Sequence, residues 1–313
     1  MRYLLRKILG LVITLFLVSI VTFAVFQILP GDPAEIILGV DADPNQIAAL
    51  NRSLGLDRPI FARYLSWIIG FLHGDLGNSL RYQQPVSQLI RSGAEVTGTL
   101  ALYSIVLTVL IGIPAGIAVS RIRRPALSAV LNGISQVFIS IPSFCVGITQ
   151  VGIFAVNLHW FPSIGWVEWS ENPIQSLYSL TLPAFSIAAG CSAIVIRYIR
   201  VSVHEEEKKD YVRTAYAKGL SESHVMYRHV LRNSLIPVIT ILGLLVADIL
   251  GGSIIIENIF SLPGIGRLIS VSISSRDLPL IQGLVMYLAA IVVLCGFGVD
   301  LLYAVIDPRI RLK

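Results

Sequence analysis

The chain has 313 residues, a net charge of +5, 55% hydrophobic and only 14% charged residues, and a mean hydropathy of +0.76. Soluble domains carry about 25% charged residues, and here the apolar residues are gathered into long blocks, which excludes an ordinary globular enzyme. The positive surplus calls for no nucleic acid: it is what a membrane protein deposits beside anionic lipid.

In chain order, uncharged runs cover 8–31, 96–120, 125–167, 172–196 and 278–299, and a further run, 233–256, is interrupted only by Asp248. A helix rises about 1.5 Å per residue and crosses the hydrocarbon core in about 20 residues, so each run can hold a span. The run 125–167 has room for two. Pro162 and the polar, aromatic stretch from His159 to Trp169 read as an interfacial loop, however, leaving one long span near 129–157 and six in all. The first run follows Arg2, Arg6 and Lys7 as a signal peptide would. It is longer than the roughly 7–15 residues of a signal's apolar core, and no small-residue cleavage pattern occurs at Gln27-Ile28-Leu29-Pro30. It is read as a retained first helix. With both ends inside, the cytoplasmic segments collect Arg2, Arg6 and Lys7, then Arg121, Arg123 and Arg124, then the basic residues from Arg197 to Arg232, then Arg309, Arg311 and Lys313. That bias fits the positive-inside rule. Cys145, Cys191 and Cys295 fall in spans without metal-ligand spacing and read as small apolar residues.

The division along the chain is a tail and first span over 1–29, an external helical segment over 30–95, and a core with five spans over 96–313. In the external segment, Asp32-Pro33-Ala34-Glu35 places a cap, an N1 proline and an acidic N3 in order, so a helix is expected there, and Asp43-Pro44-Asn45-Gln46 repeats the logic. Ile60, Phe61, Tyr64, Leu65, Ile68, Ile69 and Leu72 fall at helical spacing. Such a stripe either packs on the membrane helices or lies in the lipid interface; packing is the expectation. In the cytoplasmic segment 201–233, Lys218-Gly219 marks a helix end and Ser221 can cap a second helix running toward Asn233. Two short helices joined at a glycine are too small for a catalytic domain but suited to docking.

ATP hydrolysis by this chain is excluded. A phosphate-binding loop needs glycine followed by lysine, and none of Lys7, Lys208, Lys209, Lys218 and Lys313 follows a glycine. His204-Glu205 is not continued as a zinc-protease motif, and no Gly-x-Ser-x-Gly elbow occurs. Energy for uphill movement must come from a partner or an ion gradient.

The cytoplasmic segment reads Asp210-Tyr211-Val212-Arg213-Thr214-Ala215-Tyr216-Ala217-Lys218-Gly219-Leu220, followed by His229-Val230-Leu231-Arg232-Asn233-Ser234-Leu235-Ile236-Pro237. This resembles the signature loop of ABC importer permeases of the oligopeptide/dipeptide/nickel family, in which Arg213-Thr214-Ala215 replaces the Glu-Ala-Ala of the wider superfamily. Gly31-Asp32-Pro33, Leu54-Gly55-Leu56-Asp57, Gly74-Asp75-Leu76-Gly77, Gly251-Gly252-Ser253, Glu257-Asn258-Ile259-Phe260, Pro263-Gly264-Ile265-Gly266 and Asp307-Pro308-Arg309-Ile310-Arg311 agree with the same family in order. Leu262 and Leu278 depart from it, standing where tryptophan and tyrosine are usual, which bears on contacts with an external binding protein.

The resemblance implies an all-α, six-span, type I-like permease of the bacterial inner membrane, catalytically inert and without a cofactor of its own. Its partners would be a second homologous permease, two ATPase subunits that bind ATP and Mg, an external solute-binding protein and membrane lipid, with no nucleic acid. It further implies that Arg213, Thr214, Ala215, Lys218, Gly219 and Arg228 belong to an ATPase-coupling loop. Small peptides are the implied substrate, with nickel or a metal chelate as the alternative. A secondary transporter is the rival from another class; it calls for inverted repeats and paired intramembrane carboxylates, neither of which the sequence displays. Asp248, deep in a span, is a candidate for lining the substrate path or for pairing with the second permease, because a carboxylate at mid-bilayer costs about 2.5–3.5 kcal/mol on insertion scales. Glu257, near the outer end, is a second path candidate.

Overall fold

The computed structural model describes residues 2–28, 43–53, 55, 57–122 and 124–306. The helix expected at Asp32, the Gly31-Asp32-Pro33 and Asp307–Arg311 motifs, and Leu54 and Leu56 lie outside the described residues. In chain order the helices are α1 (Arg2–Ile28), α2 (Pro44–Ser53), α3 (Ile60–Leu72), α4 (Val86–Ser120), α5 (Pro125–Ser140), α6 (Ser143–Gln150), α7 (Pro173–Glu207), α8 (Asp210–Ala217), α9 (Glu222–Val225), α10 (Leu231–Ile259), α11 (Ile265–Ser274) and α12 (Leu278–Ile306). A π-helical stretch, Val151–Asn157, prolongs α6, and another, Met226–Val230, joins α9 to α10 without interruption. Among the described residues, Leu5–Val25, Val86–Ser120, Pro173–Glu207, Glu222–Ile259 and Leu278–Leu301 are long and apolar enough to cross a membrane.

The sixth span departs from expectation. The single helix expected near 129–157 is two helices, α5 and α6, bent by 95°. Pro142 explains the break: it lacks an N–H and forces the preceding residue out of the helical region. Ile141 accordingly takes φ −81° and ψ 122°. Elsewhere prolines are absorbed, with Pro114, Pro183 and Pro237 lying inside α4, α7 and α10. Neighbouring helices in a membrane can compensate a lost bond in this way.

The chain divides into two compact units, Met1–Val96 with Pro263–Phe297, and Thr97–Leu262 with Gly298–Lys313. In the first, Val86, Leu89 and Ile90 of α4, Ile265 of α11, and Leu280 and Leu284 of α12 form one buried apolar cluster. Asp277, fully buried, locks this cluster from one side. One carboxylate oxygen accepts from Ser79 Oγ at 2.5 Å and from the backbone N–H of Arg81 at 3.1 Å; the other accepts from the N–H of Leu280, capping α12. Removing a charged acceptor leaves its buried donors unpaired, so Asp277→Ala is expected to cost about 2–3 kcal/mol. Thermal unfolding of the detergent-purified chain measures this, with Asp277→Asn expected to lose less because it keeps one acceptor oxygen.

In the second unit α7 is the central helix: α5, α6 and α10 all pack on it, and Leu180, Ala184, Ala188, Val195, Ile199 and Val203 are fully covered. Helix α4 reaches it through glycines. A Cβ on Gly112 would lie 2.9 Å from Val195 Cβ, and one on Gly116 would lie 3.0 Å from Ile199 Cβ. Gly112-Ile113-Pro114-Ala115-Gly116 is thus a Gly-x-x-x-Gly contact, the device by which membrane helices gain close backbone approach where no hydrophobic force draws them together.

Candidate functional site: the cytoplasmic helix–turn–helix

The basic cytoplasmic segment is built from local signals. Helix α8 begins with Asp210 in its first turn, where an acid suits the positive helix end. It ends in a Schellman motif: Gly219 takes φ +79°, its N–H donates to Tyr216 O at 2.9 Å, and the N–H of Leu220 donates to Ala215 O at 3.4 Å. Two residues on, Ser221 Oγ accepts from the N–H of His224 and caps α9. The second helix does not stop near Asn233 but continues as α10, so the loop is one short helix hinged by a glycine onto a membrane span.

Apolar residues hold the hairpin down. Val212, Ala215, Val225, Met226 and Val230 are buried. A polar clasp reinforces them: the buried Glu206 at the end of α7 accepts from Tyr211 Oη and from Lys209 Nζ, each at 2.5 Å. Asn233 Nδ2 of α10 donates to Tyr211 Oη at 3.0 Å. Burial, followed by the adjoining Glu206 carboxylate, raises the Tyr211 phenol above its ordinary value, so it stays protonated and donating at neutral pH. Glu206, Tyr211 and Asn233 were not distinguished in the sequence, since the helix break between them hides their convergence.

Of the residues assigned to the coupling loop, Arg213, Thr214, Lys218, Gly219 and Arg228 are exposed and Ala215 is buried. Arg213 has an ion pair with Asp210 at 3.7 Å; both side chains are so exposed that the pair contributes little. Thr214 Oγ1 donates back to Asp210 O. Arg228, with Tyr211, His229 and Arg232, lines an open cavity of about 600 Å³ beside the hairpin. A second cavity of about 310 Å³ is lined by Arg121, Arg200, His204, Glu207 and Glu222 among others.

The two path candidates stand differently. Asp248, midway along α10, is exposed on the surface of this chain. Glu257 is fully buried, accepting from Thr97 Oγ1 of α4 at 2.7 Å. Among the described residues no three His, Cys, Asp or Glu side chains converge as a metal ion would need.

An all-helical, multi-span chain that presents one capped helix–turn–helix at its basic end is built as a membrane permease. The chain belongs to the family described as the binding-protein-dependent transport system inner membrane component, matched over residues 81–312, with the N-terminal component of the same systems matched over residues 1–101. It is a multi-pass protein of the bacterial inner membrane and a permease of the ABC importer class. It is 38% identical, over 98% of both chains, to a Brucella abortus protein bearing the name of a peptide transport system permease. It is also 38% identical, over the whole of both chains, to the glutathione transport system permease protein GsiC of Escherichia coli K12. Among solved structures, the inward-facing MetNI methionine ABC transporter matches 70% of this chain and 97% of its own with a TM-score of 0.60 at 16% identity. An amino acid ABC transporter solved with histidines matches 71% and 94% with a TM-score of 0.53 at 17% identity. These two likenesses establish the fold.

Proposed function

We propose that this chain forms half of the translocation path of an ATP-driven, binding-protein-dependent importer of small peptides. The observation that carries the mechanism is the α8–Gly219–α9 hairpin, which is capped on both sides of its turn, presents Arg213, Lys218 and Arg228 to the cytoplasm, and is continuous with the span α10. In this reading the hairpin seats in a cleft of an ATPase subunit, where the three cations meet acidic groups. Closure of two ATPases on ATP tilts α10 with the hairpin and moves the bundle between inward- and outward-open states. The second half of the path comes from a similar permease, and an external binding protein delivers the solute. Asp248, exposed at mid-span, lines the path and receives the peptide ammonium group; a carboxylate at that depth needs such a cavity or partner. Glu257, buried and bonded to Thr97, supports the path from within the wall and does not itself meet the solute.

Peptide is favoured as substrate because relatives similar over the full length bear names of peptide and glutathione permeases, and glutathione is a tripeptide. The test is uptake into proteoliposomes holding the complex co-expressed with its ATPases and binding protein. Labelled di- and tripeptides, glutathione and Ni²⁺ are offered in parallel. Expected is peptide accumulation that requires ATP, with Asp248→Asn lowering it about tenfold, as loss of one charge-assisted contact of about 1.4 kcal/mol would do. Accumulation of Ni²⁺ alone would replace the substrate, and accumulation driven by a proton or sodium gradient without ATP would overturn the mechanism.

A further inference from the structure

Helix α3 has two apolar sectors, and among the described residues only one is covered. Tyr64 and Trp67 face α1, with Phe71 packed beside Trp67. The Phe23 ring lies 5.4 Å from Tyr64 and 5.9 Å from Trp67, and Ser19 Oγ is hydrogen-bonded to Tyr64 Oη at 2.8 Å. The adjoining sector is bare: Phe61, Leu65, Ile69 and Leu72 are 71%, 40%, 52% and 76% exposed. Packing onto a span, the outcome expected from the sequence, thus accounts for one sector and leaves the other without a partner among the described residues.

Where α3 is pinned decides what covers that sector. Phe23 lies near the end of the first span, Leu5–Val25, remote from Arg2, Arg6 and Lys7, which mark its cytoplasmic end. The contact therefore holds α3 at the level of the outer membrane–water boundary. At 13 residues α3 is about 20 Å long and cannot cross the bilayer. Its remaining face carries Arg63 and Ser66, with Arg58 just before the helix and His73 just after it. Tyr and Trp at the boundary, apolar side chains on one side and cations on the other form the pattern of a helix lying in the interface plane. At the same level α1 exposes Ile20, Val21 and Val25, so the bare sector of α3 continues the lipid-facing surface of the span that holds it.

We propose that α3 lies in the outer headgroup–acyl boundary, with Phe61, Leu65, Ile69 and Leu72 immersed among phospholipid chains, and that it anchors the external segment to the membrane surface. The test is nitroxide accessibility at single cysteines placed at Phe61, Leu65, Leu72 and, on the polar face, Ser66. Cys145, Cys191 and Cys295 are first replaced by serine or alanine. The full chain, with the subunits that co-purify with it, is returned to phosphatidylethanolamine–phosphatidylglycerol vesicles. Expected is preferential relaxation by O₂ over a water-soluble nickel chelate at 61, 65 and 72, with the reverse at 66. Preference for the chelate at all four would place α3 in water and overturn the proposal. Protection from both reagents at 61, 65 and 72 would show that a protein subunit covers the sector, and would overturn it equally.

Discussion

A chain carrying Gly116→Leu is expected to accumulate in the membrane at a small fraction of the normal level and to unfold on extraction into detergent. The reason is the distance between α4 and α7. A Cβ on Gly116 would meet Ile199 Cβ and Cδ1 at 3.0 Å and Cγ2 at 3.2 Å, and Ile199 is fully buried on the central helix of its unit. That is tighter than nine in ten real Cβ contacts, so even a methyl group makes Ile199 give by a few tenths of an ångström, and a larger side chain must part the helices or drive Ile199 from its rotamer. Adding single methylenes to a packed interior costs about 1–3 kcal/mol. A leucine adds four carbons within this close contact and exceeds that several-fold, comparable with a whole domain's stability of about 5–15 kcal/mol. Gly116→Ala should instead lower the thermal midpoint by a few degrees and leave a folded chain. Two controls isolate the cause. Gly98→Ala, on the same helix with nothing within 4 Å of the new Cβ, should not lower the midpoint and should raise it slightly, since alanine favours a helix over glycine. Ile199→Ala combined with Gly116→Ala should recover part of the loss, a coupling that an additive destabilisation would not give.

That contact also shows where sequence reading stops. Gly112 and Gly116 are plain in the sequence, but a Gly-x-x-x-Gly spacing acquires meaning only from the helix opposite, and nothing local to α4 points to Val195 or Ile199. The spans were legible because crossing hydrocarbon imposes a length of about 20 apolar residues whatever packs around them. The same criterion misjudged 125–167: it counts apolar residues and ignores Pro142, whose effect on Ile141 is a local rule that predicts a boundary. The hinge at Gly219 and the cap at Ser221 were legible since both motifs close hydrogen bonds within a few residues. The clasp of Glu206, Tyr211 and Asn233 was not, because it joins three helices across two breaks. Asp277 and Ser79, 198 residues apart, were still further from view. Residues that hold elements together at a distance are the illegible part of both the fold and the site, whereas the residues those elements display are largely legible.

The hinge supports the second large prediction. On the proposed coupling role, ATP-driven uptake should fall in the order Gly219 ≈ Asn > Ala > Pro, with Gly219→Pro abolishing it while the chain still reaches the membrane at its normal level. Gly219 sits at φ +79° with open space around any added Cβ, so side-chain bulk is not what the position forbids. The left-handed conformation is. For an L-residue it costs about 1–2 kcal/mol, less for asparagine, whose short polar side chain compensates locally. Alanine therefore shifts the hinge toward other geometries without a clash, whereas proline is confined near −65° and cannot adopt the native φ. Proline also lacks the N–H that donates to Tyr216 O, so the Schellman motif opens and α8 points away from its present direction. Because the hairpin is held by Val212, Val225 and the Glu206 clasp and not by Gly219 itself, the spans should assemble as before. Uptake and ATPase activity must therefore be read together: in the proline chain, hydrolysis that continues while transport stops identifies the hairpin as the mechanical link. If Gly219→Pro transports normally, motion reaches α10 by another route, and the basic surface of α8 is only a solvated face.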